Sequence, residues 1–133
     1  MNPRFHIDKD VAAALKQRLD LHYGDPDCAV TAANLGLHRA SDGHHLLVAA
    51  QAGRILVTHN GKDFIAMQDA WLRWQQAWRV EASHAGVLII PQAWKPPQSA
   101  REIVQFVGVR QSLPNEIYIY ELDVGWVKGP ISR

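Results

Sequence analysis

The stretch Arg54-Ile-Leu-Val-Thr-His-Asn-Gly-Lys-Asp-Phe64 decides the fold class of this chain. Its apolar run Ile55-Leu-Val57 is short, rich in β-branched residues and uninterrupted, which is typical of a strand buried on both faces of a parallel sheet. Turn-forming residues follow at once, and Asp63 stands where a helix would begin. Polar side chains therefore collect at the carboxyl end of a buried strand, which is where ligands bind in open α/β sheets.

Strand and helix patterns alternate on the amino-terminal side of this stretch. In chain order they predict a strand at 4–7, a helix from Val11 to about Leu21, a strand at 28–30, a weak helix at 31–37 and a helix from Asp42 to about Ala52. Asp10 and Ser41 are the predicted N-caps of the first and last of these helices. Gly53 ends the last helix just before the deciding stretch.

The same alternation continues on the carboxyl-terminal side. In chain order the patterns predict a helix from Phe64 to about Val80, a strand at 86–90, a linker at Lys95-Pro-Pro97, a helix capped by Ser99, and strands at 117–120 and 124–127. The tail from Gly129-Pro130 is expected to fray.

These elements together predict an α/β fold in three layers. Strands that alternate with helices indicate a mostly parallel central sheet that helices cover on both sides. With 133 residues, 47% of them hydrophobic, the chain has the size of a single domain spanning 1–133. Its last ten or so residues are expected to form an edge strand or a loose tail.

Composition indicates the kinds of partner and the cellular compartment to expect. The formal charge is +1, so bulk charge gives nucleic-acid binding no support, although a local basic face stays open. Cys28 is the single cysteine, which excludes an intramolecular disulfide and fits a reducing compartment. The sequence shows neither a signal peptide nor a long apolar segment. We therefore expect a cytoplasmic protein without a membrane partner.

Acidic and amide side chains converge on one edge of the predicted sheet. Asp8 and Asp10 follow the first strand, Asn60 and Asp63 follow the third, and Asp42 begins a helix at the same rim. Each acid alone also has a structural explanation, as an N-cap or as a first-turn residue that the helix dipole stabilises. Carboxylates that share a cleft repel one another unless a cation holds them together. Hard oxygen ligands without a thiolate favour Mg²⁺ or Mn²⁺.

At this point the chain resembles a known family. The segments that carry the resemblance are Phe5-His-Ile-Asp8, Leu35-Gly-Leu37 with Ala40-Ser-Asp42, Gly53-Arg-Ile-Leu-Val-Thr-His-Asn60 with Asp63-Phe64, and Gly86-Val-Leu-Ile-Ile90. In order and spacing they are similar to the small single-domain PIN-like proteins, which include toxin nucleases of bacterial toxin–antitoxin pairs. The resemblance covers about residues 4 to 92, and only the combination of segments is specific.

The resemblance implies a Rossmann-like three-layer fold whose acidic pocket binds Mg²⁺ or Mn²⁺ and hydrolyses RNA. Asp8, Asp42 and Asp63 would be the metal ligands, and Asn60 would orient a ligand or the attacking water. The residues that would contact phosphate or support the ligands are Lys9, Asp10, Thr58 and His59. The sequence departs from the family where Lys9-Asp10 replaces a frequent Glu-Asn, and where Asn60 replaces a frequent aspartate.

A stripe of large apolar residues marks the long helix after the deciding stretch. Its members recur at spacings of three and four, at Phe64, Met67, Trp71, Trp74 and Trp78. Such a stripe normally faces the core, and this is the prediction. Aromatic residues are also enriched at interface centres, so pairing with a second copy or with an antitoxin is the alternative.

Other residues bear on the alternatives to a ribonuclease. A zinc site is not expected, because His44 and His45 are adjacent and would diverge by about 100° on a helix. A catalytically inactive interaction module is the main alternative, since Lys9 and Asn60 both weaken a metal site. A phosphohydrolase is the third, because Asp8-x-Asp10 after a strand resembles the nucleophile motif of haloacid-dehalogenase-like enzymes.

Overall fold

The computed structural model describes residues 2–79 and 82–129. The strands are β1 (Phe5–Ile7), β2 (Ala29–Thr31), β3 (Ile55–Thr58), β4 (Val87–Ile89), β5 (Ile117–Glu121) and β6 (Gly125–Gly129). The helices are α1 (Ala14–Tyr23), α2 (Asp42–Ala52), α3 (Gly61–Trp78) and α4 (Pro96–Val107). No helix within these described ranges combines the length and the apolarity needed to cross a bilayer.

The six strands form one sheet in the order β2-β1-β3-β4-β5-β6. All neighbours pair in parallel except β5 and β6, which are antiparallel. Strand β3 lies between β1 and β4, and all four of its residues are buried. The predicted α/β fold with a mostly parallel central sheet is therefore confirmed, as is the buried strand inside the deciding stretch.

Helices cover the sheet on both faces. Phe5 and Ile7 of β1 point into a core cluster that also contains residues of α1 and α4. Leu56 of β3 points to the other face, into a second cluster with residues of α2 and α3. Alternating side chains of the same strands thus reach two separate cores, as a sheet between two helical layers requires.

The start of α1 differs from its prediction. The helix begins at Ala14 rather than at Val11, and Ala13 occupies the N-cap position without a side-chain hydrogen bond. Asp10 is exposed in the preceding turn and caps nothing. Val11 fits the apolar period of a helix, which is why the predicted helix began there. In the structure it lies in the loop before α1, where its side chain is buried and its N–H donates to the Asp8 carbonyl at 3.0 Å.

The segment 31–37 is not helical. Thr31 ends β2, and the chain then turns back through a reciprocal pair of bonds between Thr31 and Asn34. Gly36 adopts a positive φ of 68°, which ends any helical path. Side chains of Thr and Asn compete with helix formation in this way, because they satisfy nearby backbone groups themselves.

The start of α4 is also wrong in the prediction. Pro96 and Pro97 form the first turn of the helix, Lys95 is the N-cap residue, and Ser99 is buried inside the helix. Proline suits this position because its missing N–H would have no partner in the first turn. The predicted linker did not allow for proline in the first turn of a helix.

The aromatic stripe on α3 is only partly core. Phe64 is buried and Trp71 is half-buried, but Trp74 is 45% and Trp78 is 71% exposed. Trp74 borders an open groove between α2 and α3 instead of entering the core. Helix α3 begins at Gly61, three residues before its predicted start, and ends at Trp78 with Arg79 as its C-cap. Val80 and the tail from Pro130 lie outside the described residues, whereas Gly129 belongs to β6.

Arg54 is a buried residue whose role the sequence did not reveal. Its side chain is 7% exposed, and Nη1 donates to three backbone carbonyls, those of Phe5 (3.2 Å), Asp27 (3.1 Å) and Cys28 (3.0 Å). The guanidinium thereby joins the start of β3 to β1 and to the turn before β2. Several buried acceptors depend on this one cation.

We predict that Arg54→Met lowers the free energy of unfolding by about 3 kcal/mol, because it removes three hydrogen bonds that a buried cation donates across three segments. Urea unfolding followed by circular dichroism measures the change. Arg101→Met, at an exposed position of α4, is the matched control and should change stability by less than about 0.5 kcal/mol. Equal stability of the two variants would contradict the role of Arg54.

Two buried histidines make stability depend on pH. Burial lowers the pKa of His84 from 6.5 to about 4. Burial, and then the charges of His45 and Arg54, lower the pKa of His6 to the same value. The unfolded chain therefore takes up these protons near pH 6.5, before the folded chain does. Their stabilising effect is complete above about pH 7, and it is lost as the pH falls from 6.5 to about 4.

We predict that acidification from about pH 7 to 5 removes about 2 kcal/mol of unfolding free energy per buried histidine. Denaturant unfolding at a series of pH values measures this loss. The exposed His22 provides the control, since His22→Gln should leave the profile unchanged. A flat profile between pH 7 and 5 would show that the histidines are not buried in the neutral form.

Candidate functional site

Asp8 is the most deeply placed acid of the site. It follows β1 directly and is 1% exposed. One carboxylate oxygen, Oδ1, accepts the Lys9 backbone N–H at 2.8 Å, and Oδ2 accepts the Thr58 hydroxyl at 2.7 Å. A buried carboxylate needs donors of this kind, because burial without them costs several kcal/mol.

Thr58 connects the first strand to the third. Its buried hydroxyl donates to Asp8 and accepts the backbone N–H of Asn60 at 3.0 Å. It therefore fixes both the carboxylate at the end of β1 and the turn at the end of β3. Thr58 is one of the residues predicted to contact phosphate or to support the ligands, and the structure places its hydroxyl between Asp8 and Asn60.

Asn60 joins two acids from different helices. Its amide nitrogen Nδ2 donates to Asp42 Oδ2 at 2.8 Å and to Asp63 Oδ2 at 2.9 Å. Asp42 begins α2, where Ser41 is the N-cap and accepts the His44 N–H. Asp63 lies in the first turn of α3. The structure thus brings together three of the four predicted site residues through direct hydrogen bonds.

The electrostatics of Asp42 show that Asp8 belongs to the same cluster. Burial raises the pKa of Asp42, and the negative charges of Asp8 and Asp63 raise it further. The Lys9 ammonium and the hydrogen bond from Asn60 act in the opposite direction. Three carboxylates therefore converge on one edge of the sheet, and their mutual repulsion is only partly offset.

The donor set matches a hard divalent cation in chemistry. Three carboxylates and one amide supply oxygen ligands, the type that Mg²⁺ and Mn²⁺ prefer. For Asn60 to contribute Oδ1, its amide would have to rotate away from the two acids that Nδ2 now joins. Among the described residues, no three His, Cys, Asp or Glu side chains stand in a ready-made ligand geometry.

Of the remaining predicted residues, Lys9 and His59 bond to backbone carbonyl groups of other segments, and Asp10 is exposed. Lys9 is exposed, and its Nζ donates to the Ala40 carbonyl at 3.1 Å, so it lies beside the loop that leads to Asp42. His59 lies against β4 through Nδ1, which donates to the Ile90 carbonyl at 2.8 Å. Asp10 is exposed while Asp8 is buried. The two acids of the Asp8-x-Asp10 motif therefore differ in burial.

Sequence reasoning missed a buried histidine pair behind the acids. His45 Nε2 donates to the Leu37 carbonyl at 3.0 Å, so its Nδ1 accepts the Nε2–H of His6 at 2.8 Å. Nε2 of His45 also lies 3.8 Å from Asp8 Oδ1. A histidine between Phe5 and Ile7 in a buried strand was the available signal, because a buried polar side chain needs a partner.

We predict that Asn60→Asp makes stability depend strongly on divalent cations. A fourth carboxylate replaces the bridging amide, so repulsion should lower the melting temperature in a chelator by several degrees, about 1 kcal/mol. Millimolar Mg²⁺ or Mn²⁺ should more than restore it. Asn60→Ala, which removes the bridge without adding charge, is the control and should show the smaller metal response. Equal responses of the two variants would contradict a cation site here.

Comparisons with known proteins add no family to this picture. The chain matches no protein-family model, no curated protein and no solved structure. The structural feature that bears on function is the acidic edge, which consists of Asp8, Asp42, Asn60 and Asp63 with Thr58 beneath them.

Proposed function

We propose that this protein is a metal-dependent endoribonuclease of the PIN-like class, and that it acts as the toxin of a toxin–antitoxin pair. One observation carries the proposal. The acidic edge gathers Asp8, Asp42 and Asp63 from three separate segments around Asn60, at the carboxyl ends of parallel strands. This combination of fold and acid cluster is what the resemblance of residues 4–92 implies.

Each residue of the acidic edge has a role in this chemistry. Asp8, Asp42 and Asp63 would hold Mg²⁺ or Mn²⁺, which supplies an activated water and stabilises charge on phosphate oxygens. Thr58 holds Asp8 in one rotamer. Asn60 neutralises part of the repulsion between Asp42 and Asp63 in the metal-free protein and would turn its amide oxygen toward the metal or the water.

Cationic side chains beside the acids support an anionic substrate. Each acid of the edge has one within three positions along the chain, at Lys9, Arg39 and Lys62. All three are exposed, so they can contact phosphates next to the scissile bond.

The state of Cys28 supports a cytoplasmic setting. The thiol is free and fully buried, and burial raises its pKa to about 11, so it stays protonated. Proteins that lack disulfide bonds are typical of reducing compartments. RNA and a protein antitoxin, both present there, are the proposed partners.

We predict that the protein cleaves single-stranded RNA with Mg²⁺ or Mn²⁺, and that Asp8→Asn lowers the rate by at least about a hundredfold, the scale on which loss of one electrostatic group acts. The amide oxygen can accept the Thr58 hydroxyl, whereas the hydrogen bond from the Lys9 N–H is lost, so folding of the variant is checked directly. Gel assays with labelled RNA measure cleavage, and circular dichroism checks folding.

Asp123→Asn is the matched control for this assay. Asp123 is exposed in the turn after β5 and has a φ of 70°, a conformation that asparagine adopts readily. It should retain full cleavage. Undiminished cleavage by the folded Asp8 variant would overturn the assignment, because a contaminating nuclease would then explain the activity.

An inactive interaction module is the second candidate function. The observation in its favour is that Asn60 already satisfies Asp42 and Asp63 without a metal. Titration calorimetry separates the two candidates: the nuclease binds Mn²⁺ or Mg²⁺ at millimolar concentration or below, and Asp8→Asn weakens that binding. Absence of heat with the folded wild-type protein would favour the module.

A further inference from the structure

A buried histidine pair connects the strand that leads to Asp8 with the helix that carries Asp42. His6 lies in β1, two residues before Asp8, and His45 lies in α2, three residues after Asp42. Both histidine side chains are 0% exposed. His6 Nε2 lies 2.8 Å from His45 Nδ1, and the two rings meet edge to face at an interplanar angle of 89°. This contact fixes the orientation of both rings.

The direction of the hydrogen bonds follows from the Leu37 carbonyl. A carbonyl only accepts, so His45 Nε2–H donates to it at 3.0 Å, and His45 Nδ1 accepts from His6. The Leu37 carbonyl also accepts the Ala40 N–H at 3.0 Å, which closes the turn that leads to Asp42. His45 thus reaches back from α2 and holds the turn from which Asp42 follows.

The His45 ring also lies next to the carboxylate of Asp8. Its Nε2 is 3.8 Å from Asp8 Oδ1, which is too far for a hydrogen bond but close enough for the N–H dipole to attract the negative charge. The oxygens of Asp8 accept their hydrogen bonds from Lys9 and Thr58 instead. The same ring therefore bonds to the turn before Asp42 and stands beside Asp8.

A second link between these two segments lies at the surface. Lys9 Nζ donates to the Ala40 carbonyl at 3.1 Å, but the lysine is exposed, so water competes for both partners. The histidine bonds are shielded from water, and a shielded hydrogen bond is electrostatically stronger. The buried pair, rather than the lysine, therefore sets the spacing of the two segments.

Stability alone does not account for the pair. Within the part of the chain that the structure describes, His6 Nδ1 is a buried nitrogen without a hydrogen-bond partner, which costs stability. Apolar side chains of the same shape would fill this space without that cost. They would not supply the directed bond to the Leu37 carbonyl or the fixed orientation of the rings.

We infer that His6 and His45 are positioning residues, which hold the Asp8 and Asp42 carboxylates at the spacing that a divalent cation requires. The inference rests on the proposed function for its cation, whereas the positioning itself is a property of the metal-free protein. Residues behind metal ligands act in this way, since they orient the ligands and change metal affinity without contacting the metal.

Two substitutions of His45 test the role of its ring. His45→Phe keeps a ring but removes the donor and the acceptor, so it should raise the dissociation constant for Mn²⁺ at least about tenfold in titration calorimetry. His45→Gln carries one amide donor and one oxygen acceptor, the two functions of the histidine ring. It should therefore restore most of the affinity.

His84→Phe is the matched control. His84 is also a buried histidine, and its Nε2 donates to the Gln68 side-chain oxygen at 2.6 Å, but it precedes β4 and so lies at the opposite edge of the sheet. This variant should lose stability in urea unfolding as His45→Phe does, yet change the Mn²⁺ dissociation constant by less than about twofold. Equal weakening of Mn²⁺ binding by the two phenylalanine variants would overturn the inference, because a general loss of stability would then explain it.

A second measurement needs no metal. Amide hydrogen exchange in a chelator reports on the N–H groups of Lys9 and Ala40, whose acceptors are the Asp8 carboxylate and the carbonyl of the turn. His45→Phe should speed the exchange of both groups at least about tenfold more than His84→Phe does. Equal rates in the two variants would contradict the positioning role.

The two measurements separate this inference from the ribonuclease proposal. A folded wild type that binds no Mn²⁺ would overturn the proposed function, and the exchange rates would still decide whether the pair positions the two acids. If His45→Phe does not fold by circular dichroism, His6→Leu, which removes the hydrogen bond from β1, replaces it in every comparison.

Discussion

The hydrogen bond from the Thr58 hydroxyl to the Asp8 carboxylate, at 2.7 Å, is the contact on which the acidic edge depends. Asp8 is buried at the end of β1, where a carboxylate without donors would be strongly disfavoured. Because β1 and β3 are adjacent and parallel, Thr58 reaches Asp8 directly and also holds the N–H of Asn60. One hydroxyl thus sets the relative positions of two site residues that are 52 positions apart in the chain.

Asn60 determines how the edge balances its charges. An aspartate at this position would add a fourth negative charge to three converging carboxylates. The amide instead donates to two of them, which stabilises the edge when no cation is bound. Under the proposed nuclease function a metal would replace this amide bridge, whereas the proposed inactive module would keep it.

The helices show where one-dimensional patterns succeed and fail. Helix α2 has the predicted bounds because Ser41 and Gly53 are local signals that act through neighbouring backbone groups. Val11 and the paired prolines at 96–97 led to wrong helix starts. Val11 fits the apolar period of a helix but is buried from a loop, and the two prolines form the first turn of α4 instead of a linker. The same holds for Trp74 and Trp78, whose period is helical but which are 45% and 71% exposed.

The sequence by itself determined the α/β class, the buried strand β3 and the bounds of α2, because strand burial and helix caps are encoded in short runs of residues. Only the tertiary structure decided that Asn60 bridges Asp42 and Asp63, that His6 pairs with His45 and that Arg54 serves three carbonyl groups. These contacts join segments that are distant in the chain. Their geometry comes from the order and register of the strands, which no local pattern encodes.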